Sequence, residues 1–269
     1  MRLSCGVLGL LSALASAPGH AADNWHEPRT GMAFVALPKG CFQMGLPADA
    51  FKEEGGGFKQ RLKTEMPQHE VCVDAFWLGR HEVRQADWHK VMGVAQGAAA
   101  ADTPVVGVSW EAANDFARRL TELSGGSTHF RLPTEAEWEY ACRAGVKAAT
   151  GQAAGKSALD AQAWYSSPYQ GFSGTRMPGV QAVGQKAPNA YGLYDMLGNV
   201  WEWVQDAYQP DAYARHTLYN PVQDGAGEQR VIRGGGLRSD ARMTRCETRA
   251  WQAAQQTQDT VGLRLVRDR

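Results

Sequence analysis

Cysteine can take part in more kinds of chemistry than any other residue type in this chain, and the spacing of the cysteines excludes some of them. The chain has five cysteines; Cys5 lies near the start, and the others are Cys41, Cys72, Cys142 and Cys246. No two of them form a Cys-x-x-Cys pattern, which argues against a structural zinc site and a thioredoxin-like motif. Four cysteines in an oxidising compartment favour two disulfides, with three possible pairings.

The other residue types that could do chemistry give weaker signals. The seven histidines do not pair as His-x-x-x-His or His-Glu-x-x-His, so a catalytic metal site is not indicated. Gly234-Gly235-Gly236 follows a predicted strand but precedes no convincing helix, which favours a tight turn over a phosphate-binding loop. The 28 basic and 28 acidic residues leave no net charge, so nucleic acid and anionic membranes are not expected partners.

The first 22 residues contain the sequence features of a secretory signal peptide, in the same order. Met1-Arg2 precedes an uncharged apolar run over 6–17, and small residues around Ala21-Ala22 follow it. The run has about 12 residues, whereas a membrane-spanning helix needs roughly 20, although a buried helix or an anchor is the alternative interpretation. The sequence therefore predicts a signal peptide over 1–22, one domain over 23–269, a periplasmic or secreted location and no membrane span.

The elements predicted for the mature chain make it an α+β protein. Strand-forming residues occupy 32–44 and 69–77, and 46–66 is polar and glycine-containing like a surface loop. Helical spacing predicts helices over 85–92, from Ser109 to Gly125, and from Thr134 to Arg143, where Thr134 and Glu137 form a capping box. After Gly151 the helical pattern disappears, and short strands are predicted only at 230–233 and 261–266.

Several sequence strings occur in a fixed order and together resemble the formylglycine-generating enzyme, or sulfatase-modifying factor, superfamily. The most specific are RLPTEAEWEY at 131–140 and YGLYDMLGNVWEW at 191–203, followed by RGGG at 233–236 and VGLR at 261–264. The resemblance covers about residues 30–267. It implies the formylglycine-generating-enzyme fold, a variant related to C-type lectins with little regular secondary structure.

The chemistry of that superfamily depends on cysteines that this chain lacks. Formylglycine formation, as the resemblance implies it, oxidises a cysteine of a sulfatase with oxygen and copper, which two enzyme cysteines just after the RGG motif bind. A pair of soft thiolates suits Cu(I). Here the segment from Gly236 onward contains one cysteine, Cys246, at its far end. Copper is therefore not an expected cofactor, and no catalytic residue is predicted.

The resemblance assigns Cys246 a structural role instead. Its Arg-Cys-x-x-Arg context is similar to that of a family cysteine that pairs with one after the EAEWEY helix, which is Cys142 here. A Cys142–Cys246 disulfide is thus implied. The remaining two cysteines, Cys41 and Cys72, are then predicted to form the second disulfide, and each lies in a predicted strand.

The resemblance also implies a calcium ion. A family turn of the pattern (Asn/Asp)-x-x-Gly-x-x-x-Glu binds calcium, and Asp195, Gly198, Val200 and Glu202 match it. Carboxylate and carbonyl oxygens suit this hard cation, which tolerates irregular geometry. The alternative is a turn without an ion, in which Glu202 forms a salt bridge with an arginine.

Two functions agree with these observations. The first is an exported accessory or maturation factor that acts on a periplasmic peptide or protein without the two-cysteine copper chemistry. The second is a periplasmic oxidase or maturation enzyme, of the formylglycine-generating type or of the type that matures a siderophore peptide. Both make an exported peptide or protein the expected partner.

Overall fold

The structure is a computed structural model that describes residues 24–50, 55–97, 99–147, 155–166, 179–225 and 227–269. The predicted signal peptide, residues 1–22, lies outside the described residues. In the part of the chain that is described, no helix has the length and apolar character needed to cross a membrane.

Three of the helices begin and end where their capping residues predict. Ser109 Oγ accepts a hydrogen bond from Ala112 N at the start of α3, and Gly93 ends α2 in the left-handed conformation. At the start of α4, Thr134 and Glu137 form the predicted capping box. The described helices are α1 (Gly56–Leu62), α2 (Gln85–Met92), α3 (Trp110–Leu123), α4 (Glu135–Arg143) and α5 (Lys156–Gln162).

The strands form three sheets. The first sheet has the order β1-β2-β5-β11-β6 and is antiparallel throughout. The second has the order β10-β7-β8-β9, in which β10 and β7 are parallel. Strands β3 and β4 form a separate antiparallel pair. Their bounds are β1 (Asn24–His26), β2 (Ala33–Leu37), β3 (Gly40–Met44), β4 (His69–Val73), β5 (Phe76–Gly79), β6 (Phe130–Arg131), β7 (Trp201–Ala207), β8 (Gln229–Arg233), β9 (Arg249–Ala253), β10 (Val261–Leu263) and β11 (Val266–Arg267).

The mixture of short helices and strands confirms the α+β prediction, but some local predictions were wrong. The segment 46–66, predicted as a loop, contains α1 and a 3-10 helix over Lys63–Glu65. The second half of the chain also has α5, β7 and β9, which the sequence pattern did not reveal. Strand β7 contains the buried polar residues Glu202 and Asp206, so it shows no alternation of apolar and polar residues.

Both predicted disulfides are present, Cys41–Cys72 and Cys142–Cys246. Cys41 and Cys72 face each other across β3 and β4. Cys142 lies at the end of α4 and belongs, with Cys246, to the hydrophobic cluster around Trp138. A second hydrophobic cluster surrounds Trp203 and the inner face of α3.

A buried network of ion pairs connects α4 to the sheet that contains β8. Arg233, at the end of β8, binds Glu139 Oε2 at 2.5 Å, and Arg249 binds both carboxylate oxygens of Glu135. Burial by itself raises the pKa of Glu139, but Arg143 and Arg233 reverse this, and the pKa is lowered overall. The buried members are four glutamates and four arginines: Glu65, Glu135, Glu139, Glu247, Arg143, Arg233, Arg245 and Arg249.

Candidate functional site

The turn after β8 is the place where the two-cysteine chemistry would be expected, and its glycines hold it against two tryptophans. A Cβ atom on Gly234 would lie 3.2 Å from the Trp138 ring, and one on Gly236 would lie 3.0 Å from Trp201 Cδ1. Gly234 also has a φ of +98°, which side chains disfavour. The chain therefore bends at Gly234, and a hydrogen-bonded turn begins at Gly236, where Ser239 N donates to Gly236 O at 2.8 Å.

Beyond the glycines, hydrogen bonds within the turn and to Asn199 hold it in place. Gly236 N donates to Ser239 Oγ at 3.0 Å, and Leu237 N donates to Asn199 O at 2.8 Å. Arg238 forms an exposed bidentate ion pair with Asp259, at 3.0 and 2.8 Å. The described side chains of this turn thus offer a charged surface beside Trp201.

The one cysteine of this segment has no free thiol. Cys246 is bonded to Cys142 and is 2% exposed. A disulfide sulfur is not the thiolate that binds Cu(I) or exchanges with a substrate thiol. The residues present between Gly236 and Cys246 therefore do not fit the copper site of the formylglycine-forming enzymes.

The segment 195–202, which ends in the first two residues of β7 and which we call the loop 195–202, packs against this turn, and Gly198 N donates to Gly234 O at 3.0 Å. Glu202 accepts a hydrogen bond from Trp138 Nε1 at 2.7 Å and is bound by the guanidinium of Arg264 at 2.8–3.2 Å. Both side chains are buried. The salt bridge that was the alternative interpretation of Glu202 is therefore present.

Asp195 is placed differently from Glu202. Its Oδ2 accepts a hydrogen bond from Gly184 N at 2.7 Å, whereas its Oδ1 is buried and has no hydrogen-bond partner among the described residues. Burial raises the pKa of Asp195. An acceptor oxygen that is buried without a donor is destabilising unless something else compensates it.

A third carboxylate, Glu82, belongs to the same cluster. It accepts hydrogen bonds from Asn199 Nδ2 at 2.9 Å and from Val200 N at 3.3 Å. Burial, followed by the nearby charges of Asp195 and Glu202, raises the pKa of Glu82 well above its usual range. The three carboxylates therefore share one buried guanidinium, that of Arg264.

This geometry fits a calcium ion only in part. The excess of carboxylates and the unpaired Asp195 Oδ1 fit a hard cation. The oxygens of Glu202 already accept hydrogen bonds from Trp138 and Arg264, so Glu202 would have to give up some of these bonds to bind the ion. The described residues include no group of three acidic, histidine or cysteine side chains with metal-binding geometry. Calcium at Asp195, Gly198, Val200 and Glu202 therefore stays a prediction.

No role was predicted from the sequence for Glu82 or for Arg264, although Arg264 lies within the string VGLR at 261–264. The one available signal was Arg264, a basic residue between apolar neighbours, whereas Glu82 lies in the charged stretch from Arg80 to Arg84. Only the packing of β10 and β11 against β5 and β7 brings them to the loop 195–202.

The site described so far can be compared with known proteins. A family model described as "Sulfatase-modifying factor enzyme 1-like domain" matches residues 20–269. The chain belongs to this family. The family assignment and the fold class predicted from the sequence are thereby confirmed.

The chain is similar to two curated proteins and one solved structure over two thirds or more of its length. The formylglycine-generating enzyme of Bos taurus is 28% identical, over 94% of this chain and 79% of its own length. The chaperone protein LppX of Paenibacillus barcinonensis is 29% identical, over 67% of this chain and 81% of its own length. PvdO from Pseudomonas aeruginosa has the same fold, with a TM-score of 0.77 and 23% identity, over 95% of this chain and all of that structure.

Proposed function

We propose that this sulfatase-modifying-factor domain is an exported accessory or maturation factor that binds a peptide or protein and does not carry out the two-cysteine copper chemistry. The observation that carries the proposal is the state of Cys246, which is buried in a disulfide with Cys142. The fold, the glycine turn and the tryptophans beneath it are retained, so a surface for a polypeptide remains where the cysteine pair is missing.

Two further facts support an accessory role. A relative of similar length, LppX, is named a chaperone protein. The two disulfides also agree with an oxidising compartment. The surface beside the turn, formed by Trp201, Arg238 and Asp259, would contact the partner, because aromatic and arginine side chains are enriched where proteins bind each other.

The first test is a turnover experiment. The mature protein, loaded anaerobically with Cu(I), is mixed with a cysteine-containing sulfatase-motif peptide and oxygen, and the peptide is followed by mass spectrometry. We expect no oxidised peptide and no tight copper binding. Cys142→Ser, which frees the Cys246 thiol, is the control for copper binding by a single thiolate. Oxidised peptide from the unaltered protein would overturn the proposal in favour of the oxidase alternative.

The second test concerns the partner. A photo-crosslinking amino acid replaces Arg238 beside the turn or, as a control, the exposed Arg119 on α3. We expect the same exported polypeptide to be captured repeatedly from position 238 and not from position 119. Identical capture from both positions would contradict a binding surface at the turn.

We also propose that calcium stabilises the loop beneath this surface. The ion would be held by Asp195 and Glu202, with the backbone oxygens of Gly198 and Val200. When bound, it would supply positive charge to a cluster in which three carboxylates share Arg264. The Oδ1 of Asp195, which has no hydrogen-bond partner among the described residues, supports this proposal, and the test is the melting temperature of the protein with and without a chelator.

A further inference from the structure

The two disulfides differ in their surroundings. Cys142 and Cys246 are 6% and 2% exposed and belong to the hydrophobic cluster around Trp138. In contrast, Cys41 is exposed, and Cys72, at 8% exposed, lies beside it on the next strand. Thiol–disulfide exchange needs access to a sulfur atom, so only the Cys41–Cys72 disulfide can be attacked from solvent without unfolding.

Cys41 also lines a cavity of about 400 Å³. One wall of it consists of aromatic rings: Phe42 lies 5.6 Å from Tyr140, and Tyr140 lies 5.9 Å from Tyr191, between ring centroids. Lys147, which is exposed, and Glu70 bring one charge of each sign to the rim. Cys41 therefore lies at the edge of a space that is large enough for a peptide side chain.

The backbone around the disulfide does not depend on it. Cys72 N donates to Leu218 O at 2.7 Å, and Cys72 O accepts from Asn220 N at 2.8 Å. Because both backbone groups of Cys72 point away from β3, Cys41 and Cys72 form a non-hydrogen-bonded pair, in which side chains lie close together. Breaking the S–S bond therefore removes no hydrogen bond of the β3–β4 ladder.

We propose that Cys41–Cys72 is an exchangeable disulfide that accepts two electrons from a dithiol peptide or protein held in this cavity. A thiolate of the partner attacks Cys41 Sγ, which forms a mixed disulfide and releases Cys72 as a thiolate. The second thiolate of the partner then attacks the partner's other sulfur, the one bonded to Cys41 in the mixed disulfide, and releases Cys41 as a thiolate. The partner gains a disulfide, both cysteines are reduced, and a low-molecular-weight disulfide reoxidises them.

The proposal rests on the proposed function only in assuming an exported polypeptide as the partner, and it concerns a different surface from Arg238. A failure of partner capture at position 238 would leave the exchange at Cys41 to be decided by its own experiment. That experiment uses two probes, dithiothreitol and a synthetic leucine-flanked Cys-x-x-Cys peptide in its dithiol form. Alkylation at timed intervals and peptide mapping report each disulfide of the native protein separately.

We expect the peptide to reduce Cys41–Cys72 at a rate that saturates with peptide concentration and is at least about tenfold faster than for Cys142–Cys246. Far-ultraviolet circular dichroism should not change on reduction. Equal rates for the two disulfides, or loss of secondary structure on reduction of Cys41–Cys72, would overturn the proposal.

Variants separate a binding cavity from a merely exposed disulfide. Tyr191→Ala should raise the peptide concentration needed for half-saturation and leave the rate with dithiothreitol unchanged. Lys147→Glu should slow the reaction with the thiolate peptide at least about threefold, while Lys59→Glu on α1 should not. If neither Tyr191→Ala nor Lys147→Glu affects the reaction with the peptide, the cavity plays no part and the proposal fails.

The order of attack can be trapped. Cys72→Ser leaves a free Cys41, which should form a mixed disulfide with the oxidised peptide. Cys41→Ser leaves the less accessible Cys72, which should form little of it. A mixed disulfide that forms equally well in the two variants would contradict the assignment of Cys41 as the attacked sulfur.

Discussion

At the scale of single residues, the buried ion pair of Glu202 and Arg264 differs from the exposed ion pair of Arg238 and Asp259. Both are arginine–carboxylate pairs in which the guanidinium contacts both carboxylate oxygens. Removing Arg264 would leave a buried carboxylate without its charge partner, whereas Arg238 and Asp259 remain hydrated when separated. Arg264→Met should lower the free energy of unfolding in urea by about 3–5 kcal/mol.

The matched control is Arg238→Met, which should cost at most about 1 kcal/mol. Equal losses in the two variants would show that the burial of Glu202 does not determine the contribution of its ion pair.

A second prediction at this scale concerns pH. Burial, followed by the charge of Glu135, raises the pKa of Asp206 to about 7, although its oxygens accept hydrogen bonds from Glu135 N and Gln223 N. The folded state therefore keeps a proton that the unfolded state loses near pH 4. The contribution of Asp206 to the free energy of unfolding is therefore fully present below about pH 4 and is lost as the pH rises to about 7. In that range the free energy of unfolding falls by up to about 1.4 kcal/mol per pH unit.

Asp206→Asn should flatten this decrease, because the amide does not titrate. The measurement is the free energy of urea unfolding of both proteins at several pH values between 4 and 7. Parallel curves for the two proteins would mean that Asp206 has an ordinary pKa.

At the scale of elements, α4 matters most because its side chains reach both the glycine turn and the ion-pair network. Trp138 contacts Gly234, Glu139 binds Arg233, and Cys142 is bonded to Cys246. The start of α4 is held by the capping box, with Thr134 Oγ1 accepting from Glu137 N at 3.1 Å and Glu137 Oε2 accepting from Thr134 N at 2.8 Å.

Thr134→Ala should lower the free energy of unfolding by about 1 kcal/mol, because it removes one of these two bonds. Thr134→Ser, which retains the hydroxyl, should be close to the unaltered protein. Chemical denaturation of the three proteins is the measurement, and an equal loss for alanine and serine would assign the effect to the lost methyl group.

At the scale of the whole molecule, a calcium ion that binds only the folded state would stabilise every element that meets the loop 195–202. Binding at a concentration about 100 times the dissociation constant adds about 2.7 kcal/mol, which corresponds to roughly 5–10 °C for a domain of this size. A chelator should therefore lower the melting temperature of the unaltered protein by about this amount.

Asp195→Ala should melt at a lower temperature and be insensitive to the chelator, whereas Asp115→Asn, at an exposed site on α3, should keep the full response. An unchanged melting temperature of the unaltered protein in chelator would remove calcium and leave Arg264 as the positive charge that compensates Glu202.

The sequence was informative where a signal is local. The caps at Ser109 and Thr134 predicted helix starts, because a cap bonds to residues within one turn. The motif strings identified the family and with it the pairing of Cys142 with Cys246. Strand β7 was missed, because burial of Glu202 and Asp206 in the interior removes the alternation on which strand prediction depends.

By itself, the sequence determined the α+β class and the absence of a cysteine pair after the glycine turn, since these depend on residue types and order, and its resemblance to the family implied which cysteines pair. Only the tertiary structure decided what those residues face. It placed Arg264 against Glu202, left Asp195 Oδ1 without a partner among the described residues, and put Cys41 on a cavity while burying Cys246. The physical reason is that burial and charge pairing arise between segments far apart in sequence, which no local pattern encodes.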